Sequence, residues 1–119
     1  MAKVAPETLE TRAARVRDLL EKDPNDAVLW FDLGRALLEL SHPCEAVAAF
    51  EHATRIDPNC TAAFRDLGRA HLENGNGCEA ARIFAHAIAL AEKTGDLKTG
   101  REIHVFLRSA EASLAEAKH

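Results

Sequence analysis

Two cysteine–histidine pairs are the residues most able to do chemistry. Cys44 is followed eight positions later by His52, and Cys78 eight positions later by His86. Thiolate and imidazole are both zinc ligands, and an imidazole beside a thiol makes a nucleophile. On a helix, however, that spacing corresponds to about 12 Å, too far for the two side chains to share one metal. A bridge from Cys44 to Cys78 needs Cα atoms within about 7 Å, whereas packed helices sit about 8–10 Å apart. Both pairs therefore read as small, half-buried residues copied together, and neither a metal nor another cofactor is expected. His71, His104 and His119 have no second ligand at a metal-binding spacing, and Glu102-Ile103-His104 is not a zinc motif. Asn74-Gly75-Asn76-Gly77 is glycine-rich, but no strand precedes it and no Lys-Ser or Lys-Thr follows, so it reads as a turn and not a phosphate loop. No serine stands beside a partnered base. A non-enzyme is expected.

The copying extends well beyond Cys and His. Residues 27–60 laid on residues 61–94 agree at about 13 of 34 positions. Asp32-Leu33-Gly34-Arg35-Ala36 falls on Asp66-Leu67-Gly68-Arg69-Ala70, and Cys44-Glu45-Ala46 on Cys78-Glu79-Ala80. Phe50, His52 and Ala53 fall on Phe84, His86 and Ala87.

Composition limits the classes of partner. The chain has 119 residues, room for one domain with an elongated core, and a formal net charge of −4. Apolar residues make up 47% and charged residues 29%, with no tyrosine, which favours a globular helical protein over a sheet. The acidic balance argues against nucleic acid or an anionic membrane surface. Charge is uneven: the first copy carries −3 and the second is neutral. Residues 1–10 hold two glutamates and no apolar run, so a signal peptide is not expected. No stretch reaches the length of a membrane span. Three cysteines in such a chain are expected to be reduced thiols in the cytoplasm.

Helical periodicity accounts for nearly the whole sequence. Residues 6–22 are predicted as a first helix, with Pro6 in its first turn and Leu9, Ala13, Val16 and Leu20 on one face. In each copy a helix is followed by a turn and a second helix. Trp30, Leu33, Leu37 and Leu40 line the first helix of the first copy, and Ala46, Ala49, Phe50, Ala53 and Ile56 the second. Gly34 and Gly68 sit mid-helix, at a cost of about 1 kcal/mol relative to Ala. Their recurrence points to a neighbouring helix packed too closely for a β-carbon. Glu92 stands where Pro58 closed the first copy, so that helix should run on to Lys93, with Gly95 as C-terminal cap. Residues 97–118 then form one long helix carrying Gly100, Ile103, Phe106, Leu107, Ala110 and Leu114, suited to closing the apolar end of a stack.

Trp30, Leu33, Gly34, Leu37, Ala46, Phe50, Ala53 and Pro58 match the signature of the tetratricopeptide repeat in type and spacing. Phe64, Leu67, Gly68, Ala80, Phe84 and Ala87 match it again, while His71 replaces an apolar or aromatic residue and Glu92 replaces the proline. The chain resembles that family, and its tail is similar to those of short stand-alone bacterial members. The resemblance implies an all-α, right-handed superhelical stack. Two full repeats (27–60 and 61–94) would follow an N-terminal half repeat (6–22) and precede a capping helix (97–118).

The resemblance also implies a non-catalytic adaptor that binds a peptide or protein segment in a concave groove. The groove would be lined by the first helix of each pair, through Val28, Phe31, Arg35 and Leu38, then Ala62, Arg65, Arg69 and Leu72. Phe31 and Leu38 would supply apolar contact, and the three arginines would hold an acidic segment or a C-terminal carboxylate. The Lys and Asn set with which the family's chaperone-tail binders hold a terminal carboxylate is not present, since Phe31 and Arg35 occupy two of its places. Equally open is that Arg35 and Arg69 pair with Asp32, Asp66, Glu39 or Glu73 on the helix surface. A second functional expectation is self-association into a homodimer or longer stack through exposed apolar edges on residues 6–22 or at Val105-Phe106.

Overall fold

Short polar turns punctuate the chain, and in the computed structural model, which describes residues 6–117, every interval between them is an α-helix. α1 spans Leu9–Lys22, α2 Ala27–Glu39, α3 Pro43–Ile56, α4 Thr61–Glu73, α5 Gly77–Thr94 and α6 Leu97–Ala117. The leader reading of residues 1–5, the expected helix end at Lys118, and His119 lie outside the described residues.

The first helix starts at Leu9 and not at Pro6. Thr8 is its N-cap, its hydroxyl oxygen accepting from the Thr11 N–H at 3.1 Å, so Pro6 and Glu7 precede the helix. Glu7 folds over the first turns to Arg15 at 2.8 Å, and this hydrogen bond holds its carboxyl below the usual carboxylate range. Asp26 caps α2 by accepting from the Val28 N–H at 2.9 Å. The turn inside each copy needs one left-handed residue, Ser41 (φ 63°) in the first and Gly75 (φ 78°) in the second. α5 does run past the place where Pro58 follows α3, and it stops at Gly95, φ 78°.

α2 packs between α1 and α3, α4 between α3 and α5, and α6 against α5. Beyond these neighbours the contacts are one-sided. α2 reaches α4 and α4 reaches α6, whereas the backbones of α1, α3 and α5 stay more than 8 Å from one another. α2, α4 and α6 therefore form the closer, concave layer of a body 55 × 33 × 28 Å in extent, and α1, α3 and α5 the outer one.

Each pair closes on one phenylalanine ring. Phe50 and Phe84 are fully buried. A β-carbon placed on Gly34 would lie 2.6 Å from the Phe50 ring, and one on Gly68 would lie 2.4 Å from the Phe84 ring. Ala46, Ala53, Ala80 and Ala87 are buried beside these rings, keeping the helices close enough for the contact.

Gly68→Ala is expected to destabilise the protein by about 1–2 kcal/mol in urea unfolding, because overpacking the fixed ring outweighs the propensity gain of about 1 kcal/mol. Ser41→Gly is expected to act oppositely, adding about 1 kcal/mol by removing left-handed strain.

Candidate partner-binding groove

On α2 the concave face begins with Val28, 66% exposed. One turn on, Phe31 rests on the buried ring of Phe50, centroids 5.9 Å apart. The Arg35 guanidinium lies over Phe31, 5.7 Å from its centroid, a cation–π arrangement. Among the described residues no carboxylate lies within 4.0 Å of Arg35. Leu38 corrects the sequence expectation. It falls on the stripe of Phe31 and Arg35, yet it is buried and joins the core cluster that includes Leu67 and Ala70, because α4 closes over that end of α2.

α4 supplies less free charge than its two arginines promise. Asp66, 2% exposed, accepts from Arg65 Nε at 3.0 Å and from Arg69 Nη1 at 3.5 Å. Arg65 also donates to Glu102 of α6 at 3.0 Å. Burial alone would lower the Arg65 pKa, but the hydrogen bond and charge of Asp66, then those of Glu102, hold it above its ordinary value. Arg65 is therefore a strut between α4 and α6. Ala62, Arg69 and Leu72 remain half-exposed along the groove.

α6 contributes two residues that local patterning did not single out for the groove. Glu102 ties down Arg65, and Phe106 stacks on Phe84 at 5.9 Å while carrying Arg69 over its ring at 5.1 Å. Each copy thus stacks an arginine on an aromatic that covers its buried phenylalanine. In the first copy all the outer members come from α2; in the second the aromatic comes from α6, because Arg65 occupies the position of Phe31. The partnering of Glu102 across 37 residues of chain leaves no trace in local spacing.

Two depressions mark the concave layer. A cleft of about 200 Å³ between α2 and α4 is bordered by Arg35, Leu38, Glu39, Asp66, Arg69 and Glu73. A smaller apolar hollow of about 70 Å³ lies against Val28 and Phe31, walled by Ala53 and Ala63. The thiols of Cys44, Cys60 and Cys78 are free, and among the described residues no three metal-ligating side chains converge. No described helix is long and apolar enough to cross a membrane.

The family model described as "Tetratricopeptide repeat" matches residues 11–58 and again 31–95. Protein BPP2914 from Bordetella parapertussis is similar in structure, with 26% identity, a TM-score of 0.75 and coverage of 90% of this chain and 95% of that one. The TPR2B domain of yeast Sti1, in complex with pHsp70, superposes with a TM-score of 0.83 at 20% identity, covering 87% and 83%. PcrH in complex with the chaperone-binding region of PopD gives 0.82 at 20% identity, covering 87% and 79%. At that identity the last two share the fold. No curated protein sequence matches the chain.

The two copies of the same aspartate should respond differently to mutation. Asp66→Ala takes the carboxylate from Arg69 and leaves half-buried Arg65 with Glu102 alone, and is expected to cost about 2–3 kcal/mol in urea unfolding, whereas Asp32→Ala, at an exposed site, should stay within about 0.5 kcal/mol. Asp96 at the start of α6 is a pH test of the same scaffold. Hydrogen bonds from Thr99, through its side chain and its N–H, hold the Asp96 carboxyl below the usual range. Its contribution is present above the unfolded-state pKa and is lost as pH falls through the lower folded-state value. The melting-temperature gap between wild type and Asp96→Ala should accordingly be present at neutral pH and close in strong acid.

Proposed function

The chain belongs to the tetratricopeptide repeat family, and on that premise we propose that it is a non-catalytic cytoplasmic adaptor. Its concave layer would hold an extended peptide or protein segment. The observation that carries this reading is Arg35: exposed, stacked on Phe31 and without a carboxylate partner among the described residues. A guanidinium fixed on an aromatic face but not neutralised is prepared for a charge-assisted, bidentate bond to a carboxylate. The apolar hollow against Val28 and Phe31 suits a small aliphatic side chain next to that carboxylate. Because Asp66 and Glu102 neutralise Arg65 and Arg69, the recognised segment needs one acidic group near α2, in place of a run of them. That Sti1 TPR2B and PcrH are seen in complexes with protein segments supports the same mode.

Self-association is a second reading, favoured by Leu97 and Val105 of α6, 66% and 63% exposed. Sedimentation over a range of concentrations separates the two, since a monomer throughout leaves only the adaptor.

Affinity capture from the source cell should compare wild type with Arg35→Glu and Val28→Asp, each checked for unchanged helicity. Retention of a partner by wild type and its loss from both variants is the expected result. Equal retention by all three would remove the interface from the concave layer.

A further inference from the structure

The outer face holds a site that the groove does not explain. Because the backbones of α3 and α5 stay apart, they leave a cleft of about 620 Å³ between them, floored by Phe64, Leu67 and Ile83 and edged by Glu51, Glu79 and Arg82. At the equivalent place one repeat earlier, a cleft lined by Arg17, Leu20 and Glu21 of α1 and by Trp30 and Leu33 of α2 measures about 350 Å³. The repeat offset makes the two directly comparable: Ala48 and Ala49 of the first copy become Arg82 and Ile83, and further changes alter the opening, the inner wall and the aromatic floor.

In the first cleft Arg17 reaches out of α1 to Glu45 of α3, Nη2 to Oε2 3.3 Å, and spans the opening. The residue equivalent to Arg17 is Glu51, and the one equivalent to Glu45 is Glu79. Two carboxylates cannot bridge, and Glu79 turns to Arg82 on its own helix. Glu51 has no cation within 4.0 Å among the described residues. The inner wall changes as well. Leu37, buried in the first copy, becomes His71, whose Nδ1 is buried and makes no hydrogen bond. A buried ring nitrogen without a partner is costly in a purely structural position. Finally, His52 lies flat on Trp30 at 4.1 Å and 16°, covering it, whereas His86 stands edge-on to Phe64 at 4.7 Å and 63°. The ring face of Phe64 is therefore not stacked on by His86.

We propose that the α3–α5 cleft receives a basic side chain, arginine or lysine, from a partner protein, in the place that Arg17 takes within the chain itself. The aliphatic stem would lie along Phe64 and Ile83, the charged head would face Glu51, and a turn of the His71 ring toward the cleft would let its Nδ1 accept a donor N–H. The site is separate from the concave groove, lies on the opposite layer and selects the opposite charge. Together they would let one small stack hold two segments at once.

The test uses the full chain, isotope-labelled, titrated in nuclear magnetic resonance with a capped alanine peptide carrying one central arginine. The same peptide with neutral citrulline is the control. Saturable shifts at His71, Ile83 and His86, at least about tenfold weaker with citrulline, are expected. Glu51→Arg should fold normally, pair with Glu79 as Arg17 does with Glu45, and abolish those shifts by filling the cleft from within. His71→Leu, the first-copy residue, should weaken binding while raising the melting temperature. Absence of saturable shifts up to about 10 mM arginine peptide, equal response to citrulline, or shifts that survive Glu51→Arg would each overturn the proposal.

Discussion

The contact of a phenylalanine ring with a bare glycine backbone fixes the spacing on which everything else depends. Phe50 lies where a β-carbon of Gly34 would have to be, and Phe84 does the same at Gly68. With the two helices of a pair held at that distance, alanines suffice to fill the remaining interface, and few large apolar residues are needed to bury a core. The same closeness brings α2 to α4 and α4 to α6 while keeping α1, α3 and α5 apart. Curvature follows directly. One layer is in mutual contact and becomes the groove; the other is splayed and acquires clefts. The mid-helix glycines, unfavourable by propensity, are thus the local concession that makes the global shape.

Electrostatics then decides which parts of the two layers stay available. Asp32 and Asp66 are the same residue of the repeat, yet one is exposed and the other is nearly fully buried. The difference comes from their surroundings. Arg65 replaces Phe31, and α6 covers the second copy, so Asp66 has two guanidinium partners and Glu102 nearby. A charge buried this way must be compensated, and the arginines that compensate it are drawn away from the groove. Arg35, in the copy without these demands, keeps its positive charge free of a carboxylate. On the outer layer the logic reverses. Arg17 bridges from α1 to α3 at one cleft, and the carboxylate that replaces it at Glu51 leaves the next one unbridged.

Much of this was legible in the sequence because two copies of one pattern vote together. The six helices, the role of Gly34 and Gly68, the continuation of α5 past the missing proline and its cap at Gly95 all followed from periodicity and turn chemistry. The start of α1 did not. Pro6 suits a first turn, but the Thr8 hydroxyl offers the Thr11 N–H a better partner, and a side-chain cap prevails over a φ preference. The family resemblance places Leu38 in the groove with Phe31 and Arg35, and only the approach of α4 buries it. The pairing of Arg65 with Glu102 depends on the direction in which Gly95 sends α6, which local spacing does not encode. His71 was visible as a departure from the repeat, but the cleft beside it appears only when α3 and α5 are seen apart.

Partner contact at the concave layer near Phe31 can be read by site-specific photocross-linking in the source cell. Benzoylphenylalanine would be placed at Val28 in the groove and, in a second sample, at exposed Arg108 of α6. A single discrete adduct is expected from Val28 and none when the label is at Arg108. Adducts from Arg108 with none from Val28 would contradict contact at the concave layer.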